Sequence, residues 1–332
     1  MGDHVYDWLL DKATGWVPGP PVNKIDTHHH IVLDFYAKGD PSGWQTPRWT
    51  LLSSELIMKR LGVKTAIRLF DLARKLNLYA ADLCDKNPDR LGFFACLPSL
   101  LDTEAALAEI TYALDNLKAD GVVIFTRYGH GNTYLGHPDV EPIWRELHKR
   151  KAVVFVHSTY PADATMVNPK MPLPMVDYPH ETTRAAMDMV VMGTRQKYPD
   201  CKVILSHAGG TLPYLISRLA IPMLKAPDFS TYHMAGTTRD KIMQDFKSFY
   251  YDIALSSSPQ VLIMLFQMVP SDHILYGSDF PYAPPLAYPA FLEQLEKYEM
   301  DVEQRERLNF KNAWICSRDS RSSNRVVYKE GW

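Results

Sequence analysis

Short apolar or β-branched runs recur along the chain at residues 22–27, 63–67, 91–96, 121–125, 152–157, 202–207, 249–253 and 273–279. Most are apolar at nearly every position, as expected of parallel strands covered on both faces. Between them lie stretches with helical spacing, notably 103–117, 140–150, 182–198 and 259–268. Strand and helix alternating eight times predict an α/β fold of the (β/α)8 TIM-barrel type. One barrel domain is expected over residues 1–332, with an arm at 1–21 and an irregular tail from about residue 313. A doubly wound sheet is the alternative, but it usually carries a glycine-rich turn after its first strand. Here that turn reads His28-His29-His30. Two long loops, 31–50 and 160–180, follow the first and fifth strands and are rich in proline and aromatic residues. Barrel enzymes build active-site lids at that end of the strands.

Polar groups gather where these apolar strands end. Side chains two apart on a strand share a face, so His28 and His30 point together into the barrel mouth and His29 points away. The fifth strand ends in His157, the sixth in His207 and the eighth in Asp279. A His-x-His alone is weak evidence for a metal, but four polar strand ends on one rim are strong evidence. His28, His30, His157 and Asp279 form a ligand set for one divalent ion that leaves a position open for substrate, as catalytic sites do. Zn2+ suits the histidines best, and Mn2+ or Mg2+ also fits a set with a carboxylate. His207 can ligate, or stand beside the ion as acid or base. Asp279 can both ligate and move a proton.

Composition narrows the partners. The formal net charge is −2, with no concentrated basic face, which argues against nucleic acid and membrane surfaces. The N-terminus lacks a basic start and the apolar stretch of a signal peptide, and Tyr6 breaks the myristoylation pattern. No run approaches the roughly 18 apolar residues of a membrane span. The four cysteines form no Cys-x-x-Cys pair and read as reduced, buried thiols. A cytoplasmic enzyme is expected.

The combination Ile25-Asp26-x-His28-x-His30, Phe155-Val156-His157, Leu205-Ser206-His207-Ala208-Gly209-Gly210-x-Leu212-Pro213 and Tyr276-Gly277-Ser278-Asp279-Phe280-Pro281 resembles the amidohydrolase-related, aminocarboxymuconate semialdehyde decarboxylase-like family. The resemblance runs from about Lys24 to about Asn312. It implies a metal-dependent decarboxylase, with the ligands at His28, His30, His157 and Asp279 and the non-ligand histidine at His207. It also implies a homodimer, in which Arg218 reaches the other subunit's site. The stretches at 180–186, 197–219 and 272–285 are most similar to fungal 6-methylsalicylate decarboxylases, which form m-cresol in polyketide secondary metabolism. The chain departs from the family in two places. Its second strand runs almost directly into the following helix, and its ending after Asn312-Ala313 is atypical.

A small aromatic carboxylic acid therefore becomes the expected substrate. Arg68 and Arg184 are candidates to pair with its carboxylate, because a guanidinium matches two oxygens. Phe280, Tyr282, Phe35, Tyr36, Trp44 and Trp49 are candidates to wall its ring. Two other readings stay open. One is a hydrolase of the same superfamily acting on a lactone, ester or amide; the other is an inert relative. A carboxylated lysine of binuclear hydrolases would need Lys at the end of the fourth strand, which instead reads Phe125-Thr126-Arg127.

Overall fold

Eight parallel strands form one sheet that curls until its first and last members meet. They are β1 (Lys24–His30), β2 (Val63–Leu69), β3 (Leu91–Cys96), β4 (Gly121–Phe125), β5 (Val153–His157), β6 (Lys202–Leu205), β7 (Tyr250–Asp252) and β8 (Ile274–Leu275). Each pairs with the next in sequence, so the spatial order follows the chain order. The ring is closed by backbone hydrogen bonds between β1 and the segment after β8: Thr27 N–H to Tyr276 O (3.1 Å), Asp279 N–H to His28 O (2.8 Å) and His30 N–H to Phe280 O (2.7 Å). The chain thus folds as the α/β barrel that its alternating pattern predicts. The structure is a computed structural model describing residues 23–30, 32, 47, 49–69, 73–226 and 237–318.

Helices cover the outside: α1 (Leu51–Leu61), α2 (Ala73–Lys86), α3 (Thr103–Thr111), α4 (Glu141–Lys149), α5 (Asp177–Val191), α6 (Leu212–Lys225), α7 (Arg239–Ser248), α8 (Pro259–Met268) and α9 (Ala287–Lys297), with shorter turns between and after them. Their starts are written in the sequence. Thr50 Oγ1 accepts from the Ser53 amide and Ser53 Oγ from the Thr50 amide, both at 3.0 Å, while Asp102 caps α3 and Ser258 caps α8. The helix expected over 182–198 begins earlier, at Asp177. It breaks at Gly193, whose φ of 67° a glycine adopts without a Cβ clash.

The barrel interior is filled rather than hollow. Phe94 and Phe155 stack with centroids 5.8 Å apart, and Phe155 stands edge-on to His28 at 5.0 Å. Each such fully buried ring contributes about 1.5–3 kcal/mol. The site therefore rests on a packed floor. The expected irregular tail begins as a helix over Asn312–Arg318. Asn312 Nδ2 donates to Ser271 O and Ile274 O, both at 2.8 Å, fastening that helix to β8. Among the described residues, no helix is long and apolar enough to cross a membrane.

Candidate metal centre

β1 continues through all three histidines, and each of its seven positions is buried. The strand's register slips between Asp26 and His29, a local irregularity at the ligand-bearing end. His28 and His30 converge as alternation requires, with Nε2 atoms 3.2 Å apart. Asp279 Oδ1 lies 3.1 Å from His28 Nε2 and 3.0 Å from His30 Nε2. With His157 the set offers four donor atoms, all within 4.8 Å of one another.

The outer face of each imidazole decides whether its inner nitrogen is free. His28 donates from Nδ1 to Asp252 Oδ2 at 3.1 Å, and His157 donates from Nδ1 to Ser158 O at 2.7 Å. With Nδ1 carrying the proton, Nε2 presents its lone pair to the common centre. Three imidazole nitrogens and one carboxylate, gathered on the inside, fit a single divalent ion.

The electrostatics favour positive charge at this centre. Burial alone would lower the His28 pKa, but Asp252 and Asp279 outweigh it and push it up to about 10. Burial, with His30 and His28 beside it, drives His157 well below the ordinary imidazole range. Burial opposes ionisation of Asp279, yet His28 and His30 hold its carboxyl well below the usual carboxylate range. The pocket is thus a buried anionic trap for one positive charge.

Backbone strain collects here. Asp279 has φ 60°, and His207 and Ala208 have φ 54° and 57°. Non-glycine residues held in the left-handed region cost on the order of 1–3 kcal/mol each and mark places where surrounding structure dictates the chain path. β6 stops at Leu205 because His207 turns away from the strand. Gly210 must be glycine, since a Cβ there would stand 1.9 Å from Pro179 O. His207 ends with its ring centroid 4.9 Å from that of His28 and 6.4 Å from that of His157, its Nδ1 donating to Ala254 O at 3.1 Å.

His28, His30, His157, Asp279 and His207 are therefore brought together. The other candidates are not. Phe280 is fully buried, with His29 (5.1 Å) and Tyr288 (5.8 Å) as its ring partners, because the chain turns sharply at Asp279. Tyr282 takes the place expected of it, edge-on to His30 at 4.7 Å. Arg184 is exposed on α5, 3.6 Å from Glu181 and over the Tyr134 ring. Arg218 is exposed on the outside of α6. Arg68 lies in β2 with its side chain outside the described residues; Phe35, Tyr36 and Trp44 lie outside the described residues altogether, and Trp49 is buried.

Three participants were not picked out from sequence. Asp252 ends β7 inside an apolar run, where a lone carboxylate in Tyr-Tyr-Asp-Ile was the available signal. Asp26 Oδ1 accepts from the amides of His28 (3.1 Å) and Ser278 (3.0 Å), joining the two ligand-bearing strand ends. Arg127 is buried, donates to the carbonyls of Gly129, Gly131, Tyr160 and Pro161, and ties the loops after β4 and β5.

Comparison with known proteins gives a consistent picture. A family model described as amidohydrolase matches residues 25–313. The chain is 45% identical to a 6-methylsalicylic acid decarboxylase of Penicillium expansum over 308 residues, covering 86% of this chain and 93% of that one. It is 45% identical to the 6-methylsalicylic acid decarboxylase acuB of Aspergillus aculeatus, covering 82% and 89%. Its fold matches a dihydroxybenzoic acid decarboxylase from a Polaromonas species, solved with manganese and 2-nitroresorcinol. The TM-score is 0.80 at 21% identity, covering 92% of this chain and 99% of that one.

Proposed function

The chain belongs to the amidohydrolase family, and we propose that it is a metal-dependent decarboxylase converting 6-methylsalicylate to m-cresol and CO2. The observation that carries the reading is the cluster of His28, His30, His157 and Asp279, with two of its imidazoles already oriented from behind. His28, His30, His157 and Asp279 would hold a divalent ion, Zn2+ in this proposal with Mn2+ as a working substitute, which would supply positive charge to the anionic acid.

The chain's own residues then move protons. Asp279 enters as a carboxylate, and the phenolic proton of the incoming acid would pass to it once positive charge at the centre has acidified that phenol. Asp279 delivers that proton to the ring carbon bearing the carboxylate, and the oxygen beside that carbon supplies the electron density. The bond to CO2 then breaks, and its electron pair restores the aromatic ring. The product oxygen, left as an anion, regains a proton from solvent through His207. Atoms and charge balance: one hydroxybenzoate and one proton give one phenol and one CO2. Tyr282 and Phe125, edge-on to His30 and His157, wall the ring.

Asp279→Asn is expected to abolish turnover; an Asn variant with its ion bound and a near-native rate would contradict the assignment. The exposed apolar side chains of Tyr214, Ile221 and Leu224 flank Arg218 on α6, which supports a homodimer in which this helix meets a second copy. Four free, buried cysteines support work in a reducing cytoplasm.

A further inference from the structure

Asp252 is fully buried and uses both carboxylate oxygens on two different parts of the site. Oδ2 accepts from His28 Nδ1 at 3.1 Å. Oδ1 accepts from the backbone amides of His207 (3.2 Å) and Ala254 (2.8 Å). Ala254 in turn offers its carbonyl to His207 Nδ1 at 3.1 Å. One rigid group thus fixes the tautomer of a proposed metal ligand. It also fixes the strained backbone that carries the proposed proton carrier, and it orients that carrier's ring through the next peptide. The His28 and His207 rings lie 4.9 Å apart, and Asp252 is the shared support behind both.

We propose that Asp252 is a positioning residue that couples metal binding by His28 to proton transfer by His207. This rests on the roles given to those two histidines above. A carboxylate is required because three N–H donors converge on it and each needs an acceptor. In Asp252→Asn, an amide oxygen can serve the two backbone donors, but the amide nitrogen then faces Nδ1 of His28, donor against donor. His28 escapes by losing the bond or by moving its proton to Nε2, the atom that faces Asp279. The first route frees the ring from its fixed orientation, and the second removes the lone pair aimed at the ion.

The test is a double-mutant cycle on the metal-loaded protein with Asp252→Asn, His207→Gln and both together. Affinity for Zn2+ is read by chelator competition and kcat is read at saturating metal. The expected result is a 10–100-fold weaker ion in Asp252→Asn. A double variant no slower than the slower single is expected as well, since residues acting as one unit are not additive. In the Co2+-loaded wild type, the His28 Nδ1 proton should give a shifted, exchangeable signal that the Asn variant lacks. Should Asp252→Asn fail to fold, Asp252→Ser removes both carboxylate oxygens, leaves one shorter hydroxyl for three donors, and is expected to weaken the ion at least as much. Wild-type affinity retained in the variant, or losses that multiply in the double, would overturn the coupling alone. Wild-type protein that binds no ion would overturn the coupling together with the reading beneath it.

Discussion

Gly277 sits just after the eighth strand, where the chain passes behind His28, and its replacement by alanine tests how tightly the centre is built. A Cβ at that position would stand 2.8 Å from His28 Cβ, 3.2 Å from Ala254 Cβ and 3.3 Å from Asp252 Oδ1. The closest of these atoms is the stem of a ligand, not the free end of a flexible chain. His28 or its strand must therefore retreat by about 0.6 Å, comparable with the roughly 0.5 Å tolerance of a working site. Overpacking of this kind costs about 1–3 kcal/mol. In a chain of this size each kcal/mol lowers Tm by about 1–2 °C, so Gly277→Ala should melt about 1–5 °C early. Its affinity for Zn2+ should fall by about tenfold or more, because His28 moves off both Asp252 and the ion. Gly131→Ala is the control, since a Cβ there meets nothing within 4 Å. Thermal unfolding with and without metal, together with chelator competition, reads both effects. A Gly277→Ala protein that matches Gly131→Ala in melting and in metal affinity would refute the reasoning.

Two further outcomes follow from the same geometry. In the metal-free protein His28 binds its proton up to about pH 10, against about 6.5 when unfolded. That proton stabilises the metal-free fold fully below about pH 6.5, and the contribution, on the order of a few kcal/mol, is lost as pH rises through 10. Zn2+ displaces the proton, so the gap in Tm between loaded and metal-free protein should widen from pH 6.5 to 10; a constant gap would contradict this. Arg127→Met removes the cation that ties four loop carbonyls and faces buried Glu181 at 4.0 Å. It should lower stability by about 1–3 kcal/mol in urea unfolding, and an unchanged midpoint would show that the latch is idle.

Much of the architecture was legible because parallel strands covered on both faces are apolar throughout, and eight strand-helix repeats without a glycine-rich first turn favour a barrel. The centre was legible for a related reason: a histidine or aspartate ending an apolar strand has little to do in a core. What escaped notice is instructive. The eighth strand was expected over 273–279 but pairs regularly only at Ile274–Leu275, because Asp279 bends into the left-handed region and the closing bonds come from backbone off the regular ladder. The first strand's apolar run ends at Thr27, and the strand continues through His30 as the alternation of His28 and His30 requires. Phe280 was expected beside the substrate because it follows a ligand, but the turn at Asp279 sends it into the core and leaves Tyr282 at the mouth. Asp252 was hidden by its strand: a buried carboxylate within an apolar run shows its purpose only once His28 is seen behind it.

The central claim is decarboxylation at a single metal centre. Its most direct test incubates metal-analysed protein with 6-methylsalicylate, before and after chelation and after adding back Zn2+ or Mn2+, while CO2 and m-cresol are followed by chromatography. The account predicts one ion per chain, equimolar CO2 and m-cresol, loss of both on chelation and their return with the metal. A protein carrying one ion per chain that releases no CO2 from 6-methylsalicylate, salicylate or dihydroxybenzoates would contradict it.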